Sequence, residues 1–566
     1  MSLFGSLQMA GSALQANQLA LQVVGQNIAN SQTAGYIQED VNFQAGPTQK
    51  QGNVLLGTGV QVQGVVQQIN QFLQERMRGA ASDQSSATTI TSAYTQLQTL
   101  TNSLSSSDLD SQLTSFFSSI SNVLNKPNDT STLALAVEQG QTLAGNIQGL
   151  ANGVTQLHSD LDTQVGDMAG SINTLLLQIG QLNGQIAQVQ GSVSGNQSAV
   201  GLVDQQQEAL QNLSQLINIH TQNNADGSVT VTNGQNTLVI GSDAQQVEAV
   251  SDTSNDLPVT DLEIQGTGAK LDTSSGQLGG LVDSRDNVVG GFLNQLNSFT
   301  NTFSSAFNQI YSSGQGLVGF TSVTAQSAVS SPDVPLNQAG LLNTPVNGSF
   351  QIIVNNTATG ATTTNTIQVQ LQGTDSDTTL QDLADQINQN VSGVTATISS
   401  KGTLSLQSNS SNTQFSFAND TSGTLSALGI NTFFTGSTAA TLGVNADVVA
   451  NPSLFAASQG GIGNDTDNAT ALANLQNTSL TSAGNNTLST LYDQIVSQMA
   501  QGASQAQNTS DAATSYQQTI NGQQSSVSGV SVDDEAVKML QYQAAYQATA
   551  KYITTLDTLM NTLFSM

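Results

Sequence analysis

Two stretches of this 566-residue chain carry the same periodicity, and they lie at its two ends. Leu3, Leu7, Ala10, Leu14, Asn17, Leu21, Val24 and Ile28 step alternately by fours and threes. Met539, Tyr542, Tyr546, Thr549, Ile553, Leu556, Met560 and Leu563 do the same. Such spacing draws one narrow apolar stripe along a helix, the pattern of a coiled-coil seam. A lone amphipathic helix of this length is marginal in water, and Gly11, Gly25 and several Asn weaken the first one further. Each seam Leu contributes about 1.5–3 kcal/mol, and only when buried. Both stripes therefore need cover. We expect both ends to be largely unfolded in the lone chain and to become helical against each other and against neighbouring subunits. An ordinary antiparallel pair within one chain is the alternative.

Charge is scarce: 9 Lys and Arg against 38 Asp and Glu give a net charge of −29. Nine bases spread from Lys50 to Lys551 form no cluster, so nucleic acid is not an expected partner. The first acid is Glu39 and the first base Lys50. The neutral N-terminus lacks the basic n-region and unbroken apolar core of a secretory signal. No run of about 18 apolar residues suggests membrane insertion. With no Cys, disulfides, thiolate metal sites and cysteine nucleophiles are excluded. His158 and His220 lie far apart and form no metal spacing. No phosphate-binding loop and no Ser–His elbow is present. We expect no enzyme, no catalytic residues, no cofactor and no metal.

Acidic clusters have plain structural readings. Ser531 is a plausible N-cap, with Asp533, Asp534 and Glu535 in the first turn, where the helix dipole favours acids. Asp108 and Asp110 read as a helix start. Asp465-Thr466-Asp467-Asn468 lacks the Gly and distal Glu of a twelve-residue calcium loop and reads as a turn or cap. Arg285, flanked by Asp283 and Asp286, reads as a local ion pair.

The middle alternates between two periods. Helices run through Ile90 to Leu104 and Leu109 to Leu124, the latter stopped by Lys126-Pro127-Asn128-Asp129. A seam from Leu143 through Leu175 to Val189 predicts a single helix of roughly 90 Å over 132–190, a length suited to an elongated molecule. The period then becomes two: Val229 to Thr232, Asn233-Gly234 and Thr237 to Ile240 read as a hairpin. Helix resumes at Gly279. Within 321–455, strands are expected at Phe350–Val354, Ile367–Leu371, Val394–Ile398 and Leu404–Gln407, with a helix from Leu380 to Val391.

Specific residues carry a resemblance. Asn27-Ile28-Ala29-Asn30, with Thr33-Ala34-Gly35-Tyr36, resembles the N-terminal motif of bacterial flagellar rod, hook and hook-associated proteins. Ser531 to Ala536, then Tyr542-Gln543-Ala544-Ala545-Tyr546-Gln547-Ala548 and Lys551, is similar to their C-terminal motif. Phe116-Phe117, Asn125 to Asp129, Leu182-Asn183-Gly184-Gln185-Ile186, Leu278-Gly279-Gly280-Leu281 and Ile430 to Gly436 look like segments of the hook-associated members, which plain hook or rod proteins lack. One departure is Ile37, where the family usually has a base.

The resemblance implies a structural subunit joining hook to filament. The expected fold is α+β and multidomain: an elongated helical-bundle or coiled-coil core built from both chain ends, with inserted β-rich domains. The expected parts are 1–40 with 525–566 as terminal core; 41–219, 273–320 and 456–524 as a long-helix body; 220–272 as a small β domain; and 321–455 as a β-rich outer domain. Leu7, Leu14, Leu21, Val24 and Ile28 would form the N-terminal assembly seam. Met539, Tyr542, Tyr546, Ile553, Leu556, Met560 and Leu563 would form the C-terminal seam, which a chaperone would mask. Implied partners are a ring of identical subunits, the hook protein, a second hook-associated junction protein on the filament side, a cytoplasmic export chaperone and the flagellar type III export apparatus. The implied location is extracellular, reached without a cleaved signal peptide. Alternatives are another axial subunit of hook or rod, a secreted adhesin using 321–455, and, ranked last, a secreted hydrolase.

Overall fold

The computed structural model describes residues 3–33, 36–51, 54–102, 109–191, 199–254, 257–463 and 465–565. In chain order its helices are α1 (Leu3–Asn30), α2 (Gln71–Asn102), α3 (Leu109–Asn125), α4 (Thr130–Gly191), α5 (Val200–Leu216), α6 (Gly276–Asp283) and α7 (Gly290–Tyr311). There follow α8 (Leu380–Asn390), the short α9 (Thr424–Leu428) and α10 (Ala446–Ala450), α11 (Asp467–Asn474), α12 (Leu488–Ser528) and α13 (Val532–Ser565). Small antiparallel sheets are inserted between them. The chain is an α+β, multidomain protein. It forms two compact units, one of residues 1–93, 159–285 and 504–566, the other of 94–158 and 286–503. Three of the four divisions fall inside α2, α4 and α12, and the fourth, between Arg285 and Asp286, falls in the π-helical segment Ser284–Val289.

In the first unit, α1 and α13 pack together. The strands Glu39–Ala45 and Val60–Gln67 pair antiparallel beside them. The C-terminal half of α4 carries two further sheets, one of four strands (His220–Asn223, Val229–Asn233, Asn236–Ile240, Asp243–Ala244) and one of three (Val247–Ser254, Leu257–Ile264, Ala269–Lys270). Asn183 joins helix to sheet. Its amide donates to the Val229 and Gly241 carbonyls at 2.8 and 2.7 Å. Its oxygen accepts from Val229 N and Gln206 Nε2 at 2.9 and 2.7 Å. The expected hairpin is present, with its two-residue turn at Gly234-Gln235, one position beyond the expected Asn233-Gly234. Gly234 takes the positive φ of 55°. Asn233 is instead buried, bonding the backbone of Asn218 and Asp272.

The 62-residue α4 contains the whole expected seam with one change: Leu176, not Leu175, is the buried residue between Ile172 and Ile179. A four-residue step from Ile172 keeps the stripe on the covered face. His158 on this helix is buried. Arg285 is buried in the first unit, bonding Asp162 and the Thr260 carbonyl at 2.8 and 2.7 Å. It thus ties α4 to the three-stranded sheet.

The second unit has two cores. Phe116 and Phe117 meet Phe303, Phe307, Phe433 and Phe434, and Phe433 lies 5.8 Å from Phe116 between ring centroids. Segments singled out far apart in sequence thus share one aromatic cluster. Gly140 is required there, since a Cβ would come 2.6 Å from the Phe433 ring. The other core lies in 320–430, where sheets of strands Ser322–Thr324, Val394–Ile398 and Leu404–Ser408, and of Gly348–Asn356, Thr362–Val369 and Thr413–Ala418, enclose one apolar cluster with α8. Thr379 and Asp382 form a reciprocal capping box at the start of α8.

Candidate functional site

The paired chain ends form the candidate site. The end of α1 meets the start of α13, so the two helices run antiparallel. A polar contact joins them. Asn27 and Glu535, 508 residues apart, are both 0% exposed. Asn27 Nδ2 donates to Glu535 Oε2 at 2.9 Å and to the Glu39 carbonyl at 2.8 Å. Its Oδ1 accepts from the Tyr36 hydroxyl at 2.9 Å and from Glu39 N at 3.1 Å. The other carboxylate oxygen, Glu535 Oε1, accepts from Gln38 Nε2 at 2.8 Å and Lys538 Nζ at 2.9 Å. Lys538 also reaches Asp40 at 2.9 Å. A buried carboxylate is tolerated only when paired and hydrogen-bonded, and here both conditions are met.

The surroundings are electrostatically tuned. Burial, reinforced by Glu39, Asp204 and Glu535, pushes the Tyr36 hydroxyl well above its ordinary pKa. Glu39 is raised by burial and then by Asp204. Asp204 is raised by burial, against the opposing bond from Gln67. Burial works against the Lys538 charge, yet the bonds from Glu535 and Asp40 outweigh it and hold its pKa above the usual lysine value.

The expected seams have unequal fates. On α1 the fully buried residues are Ser6, Ala10, Ala16, Ala20, Val23, Val24 and Asn27. Of the expected seam, Val24 is among them, whereas Leu7, Leu14, Leu21 and Ile28 are half-buried at its margin. Small residues let the helix backbones approach, and the larger side chains line the rim. On α13, Met539, Tyr542, Tyr546, Ile553 and Met560 are half-buried, Leu556 is buried and Leu563 is 64% exposed. Val537, Leu540, Tyr552 and Leu559 on a second face of α13, and Phe564 near its end, are exposed.

The N-terminal motif acquires physical roles through Asn27 and Tyr36. Asn30 Oδ1 accepts from Thr33 Oγ1 at 3.3 Å, closing the helix end. Ala29 is exposed. Gly35 and Ala34 lie outside the described residues, as does Asp108. Ile37, in place of a base, is buried. The acidic Asp533-Asp534-Glu535 cluster splits. Ser531 Oγ caps Asp534 N at 3.3 Å and Asp533 and Asp534 are exposed, but Glu535 is the clamp of the site. Sequence reasoning missed Gln38, Asp40, Glu535 and Lys538 as a group. The available signal was Gln38-Glu39-Asp40, where charge first appears, and Lys538 one turn after Glu535.

Other candidate sites are occupied by the chain itself. Asp465 accepts from Gln459 N and Asp467 N at 2.9 Å each and from Gly460 N at 2.6 Å, bonds that hold its pKa below the ordinary value despite burial. It is a turn and helix cap. Among the described residues no cluster of His, Asp and Glu could hold a metal ion, and no helix is long and apolar enough to cross a membrane.

Comparison with known proteins assigns the two ends first. The family described as "Flagella basal body rod protein" matches residues 7–36, and "Flagellar basal body rod FlgEFG protein C-terminal" matches 523–566. Asn27 and Glu535 fall within these matches. Both ends are therefore similar to axial proteins of the bacterial flagellum. "Flagellar hook-associated protein FlgK helical domain" matches 94–324, and "Flagellin hook IN motif" matches 354–410. Flagellar hook-associated protein 1 of Escherichia coli is 27% identical over 98% of this chain and 98% of its own length. The protein of the same name from Salmonella typhimurium is 27% identical over 98% and 99%. That of Bacillus subtilis is 24% identical over 55% and 68%. A solved flagellar hook junction protein FlgK from Burkholderia pseudomallei, 18% identical, superposes with a TM-score of 0.49 over 80% of this chain and 100% of that one. Over nearly its whole length the chain is therefore similar to flagellar hook-associated protein 1, a structural component of the flagellum.

Proposed function

We propose that this chain is the junction subunit joining hook to filament, and that it works by self-assembly through its paired end helices. The observation that carries this reading is the half-covered apolar rim of α1, Leu7, Leu14, Leu21 and Ile28, beside the exposed row on α13. A folded chain that leaves such rows uncovered gains by packing them against identical neighbours. The neutrality of residues 1–38 suits this, because identical charged helices brought together repel. The partners would be a ring of copies, the hook protein on one side and a second hook-associated protein on the other. Before assembly an export chaperone would cover α13, and the chain would leave by the flagellar type III apparatus without cleavage. Its place would be extracellular, and its role structural without catalysis. The finer parts (terminal core, long-helix body, 220–272 and 321–455) would serve as core, shell and outward-facing domains.

Electron microscopy with a specific antibody tests the location; label confined to a thin zone between hook and filament is expected. Label along the hook or rod would transfer the role to another axial part. The double change Leu14→Asp and Leu21→Asp tests the mechanism. Both residues lie on the rim, so the monomer should keep its helical circular dichroism while junction formation is lost, because an acid buried without a partner is costly. Normal capping of hooks by this variant would refute the seam.

A further inference from the structure

Arginine is rare in this chain, and most of it is engaged internally. Arg285 is bonded to Asp162 and Arg78 to Glu75. Arg76 is different: among the described residues it has no carboxylate partner. It lies between two aromatic rings, its guanidinium carbon 5.8 Å from the Phe72 centroid and 5.8 Å from that of Tyr516. Its Nε and one terminal nitrogen donate to the Tyr516 hydroxyl at 3.3 and 3.0 Å. Phe72 and Arg76 stand one turn apart on α2, Tyr516 on α12, all within the first unit.

The two rings face outward, and Arg76 beside them is half-buried. Phe72 is 72% exposed and Tyr516 44%. Arginine and large aromatics are the side chains that most often anchor interfaces. A guanidinium has five N–H donors; two point at Tyr516, which leaves three for a partner. The group is already ordered by the two rings, so little freedom is lost when a carboxylate arrives. Beside Phe72 opens a cavity of about 190 Å³, with Ile69, Glu75, Arg78 and Thr221 among its walls, where an incoming side chain has room.

Charge selects the partner. Copies carrying −29 each repel unless a cation of one meets an acid of the next. An arginine without an internal carboxylate partner, on a chain with 38 acids, is complementary to another copy of the same chain. We propose that Phe72, Arg76 and Tyr516 form a docking point for a second copy of this chain, Arg76 taking a surface carboxylate and Phe72 becoming covered. This deepens the assembly reading above and rests on it for the state in which the contact forms.

The test places the photo-crosslinker p-benzoylphenylalanine at position 72 of the full chain in assembled flagella, with exposed Ile240 as the control position. A crosslinked homodimer from position 72 is expected, and Arg76→Glu should lower its yield about tenfold by setting acid against acid. Arg76→Lys, which keeps the charge without the planar fork, should fall between. Crosslinks only to a different protein, no crosslink at all, or a yield indifferent to Arg76→Glu would overturn the docking point. A chain missing from the flagellum would refute the wider reading instead. The same crosslinking on the concentrated purified chain then decides the docking point: a homodimer supports it and its absence overturns it.

Discussion

At the scale of single residues, the pairing of Asn27 with Glu535 does what the apolar seams do not: it sets where along each other the two end helices stop. Apolar contact tolerates sliding by a turn, whereas a buried carboxylate finds Asn27, Gln38 and Lys538 in one register only. Replacing Glu535 by Ala should cost about 3–5 kcal/mol, since it strands those donors. Glu535→Gln, which retains one acceptor, should cost less. Thermal unfolding and amide exchange across 3–30 measure both, and equal effects would show that packing alone sets the register. A second prediction concerns pH. Glu39 and Asp204 both have raised folded-state pKa values. The folded chain therefore holds their protons more tightly than the unfolded chain. Their contribution to stability is complete below the ordinary carboxylate pKa and is lost as pH rises through the raised values. Glu39→Gln should be more stable than the parent at neutral pH, with the gap closing as pH falls toward the ordinary carboxylate range. A gap that stayed constant across a pH series of unfolding midpoints would refute the raised pKa of Glu39.

At the scale of elements, helix-to-sheet joints depend on buried amides and on missing side chains. Asn183→Ala would leave the Val229 N–H and the Gly241 carbonyl without their helix partner. A cost of about 2–4 kcal/mol is expected, with faster amide exchange confined to 229–241. Gly280 works by absence, since a Cβ there would stand 2.7 Å from the Ser86 carbonyl and 2.9 Å from Thr89 Cβ. Gly280→Ala should destabilise the α2–α6 contact by about 1–3 kcal/mol, read by denaturant unfolding. Along the α13 stripe Leu556 is buried, Tyr542, Tyr546 and Ile553 are half-buried and Leu563 is exposed. On α1 the stripe included the buried Ala10 and Val24, but its leucines lie at the margin, and the buried line runs on through Ala16, Ala20 and Val23. Hydrophobicity ranks Leu above Ala, but a close helix pair selects small volume at its centre.

At the scale of the whole molecule, residues 320–430 enclose their own core, from Phe320 and Phe350 to Phe417 and Ile430. An excised 320–430 fragment should therefore unfold cooperatively by itself, as calorimetry would show; a broad, non-cooperative transition would mean that this core depends on its neighbours. The sequence by itself determined what repeats locally. The long α4, the helix that begins at Leu380, the strands within 348–408 and the two amphipathic ends all follow from spacing and turn chemistry, which act over a few residues. Tertiary structure alone decided what meets across hundreds of residues. Glu535 read as a helix-start acid until Asn27 and Gln38 were beside it, and Phe116 read as part of a local segment until Phe433 closed on it. The physical reason is that a side chain's own chemistry states what it needs, a donor, a counter-charge or a dry neighbour. Only the folded chain states who supplies it.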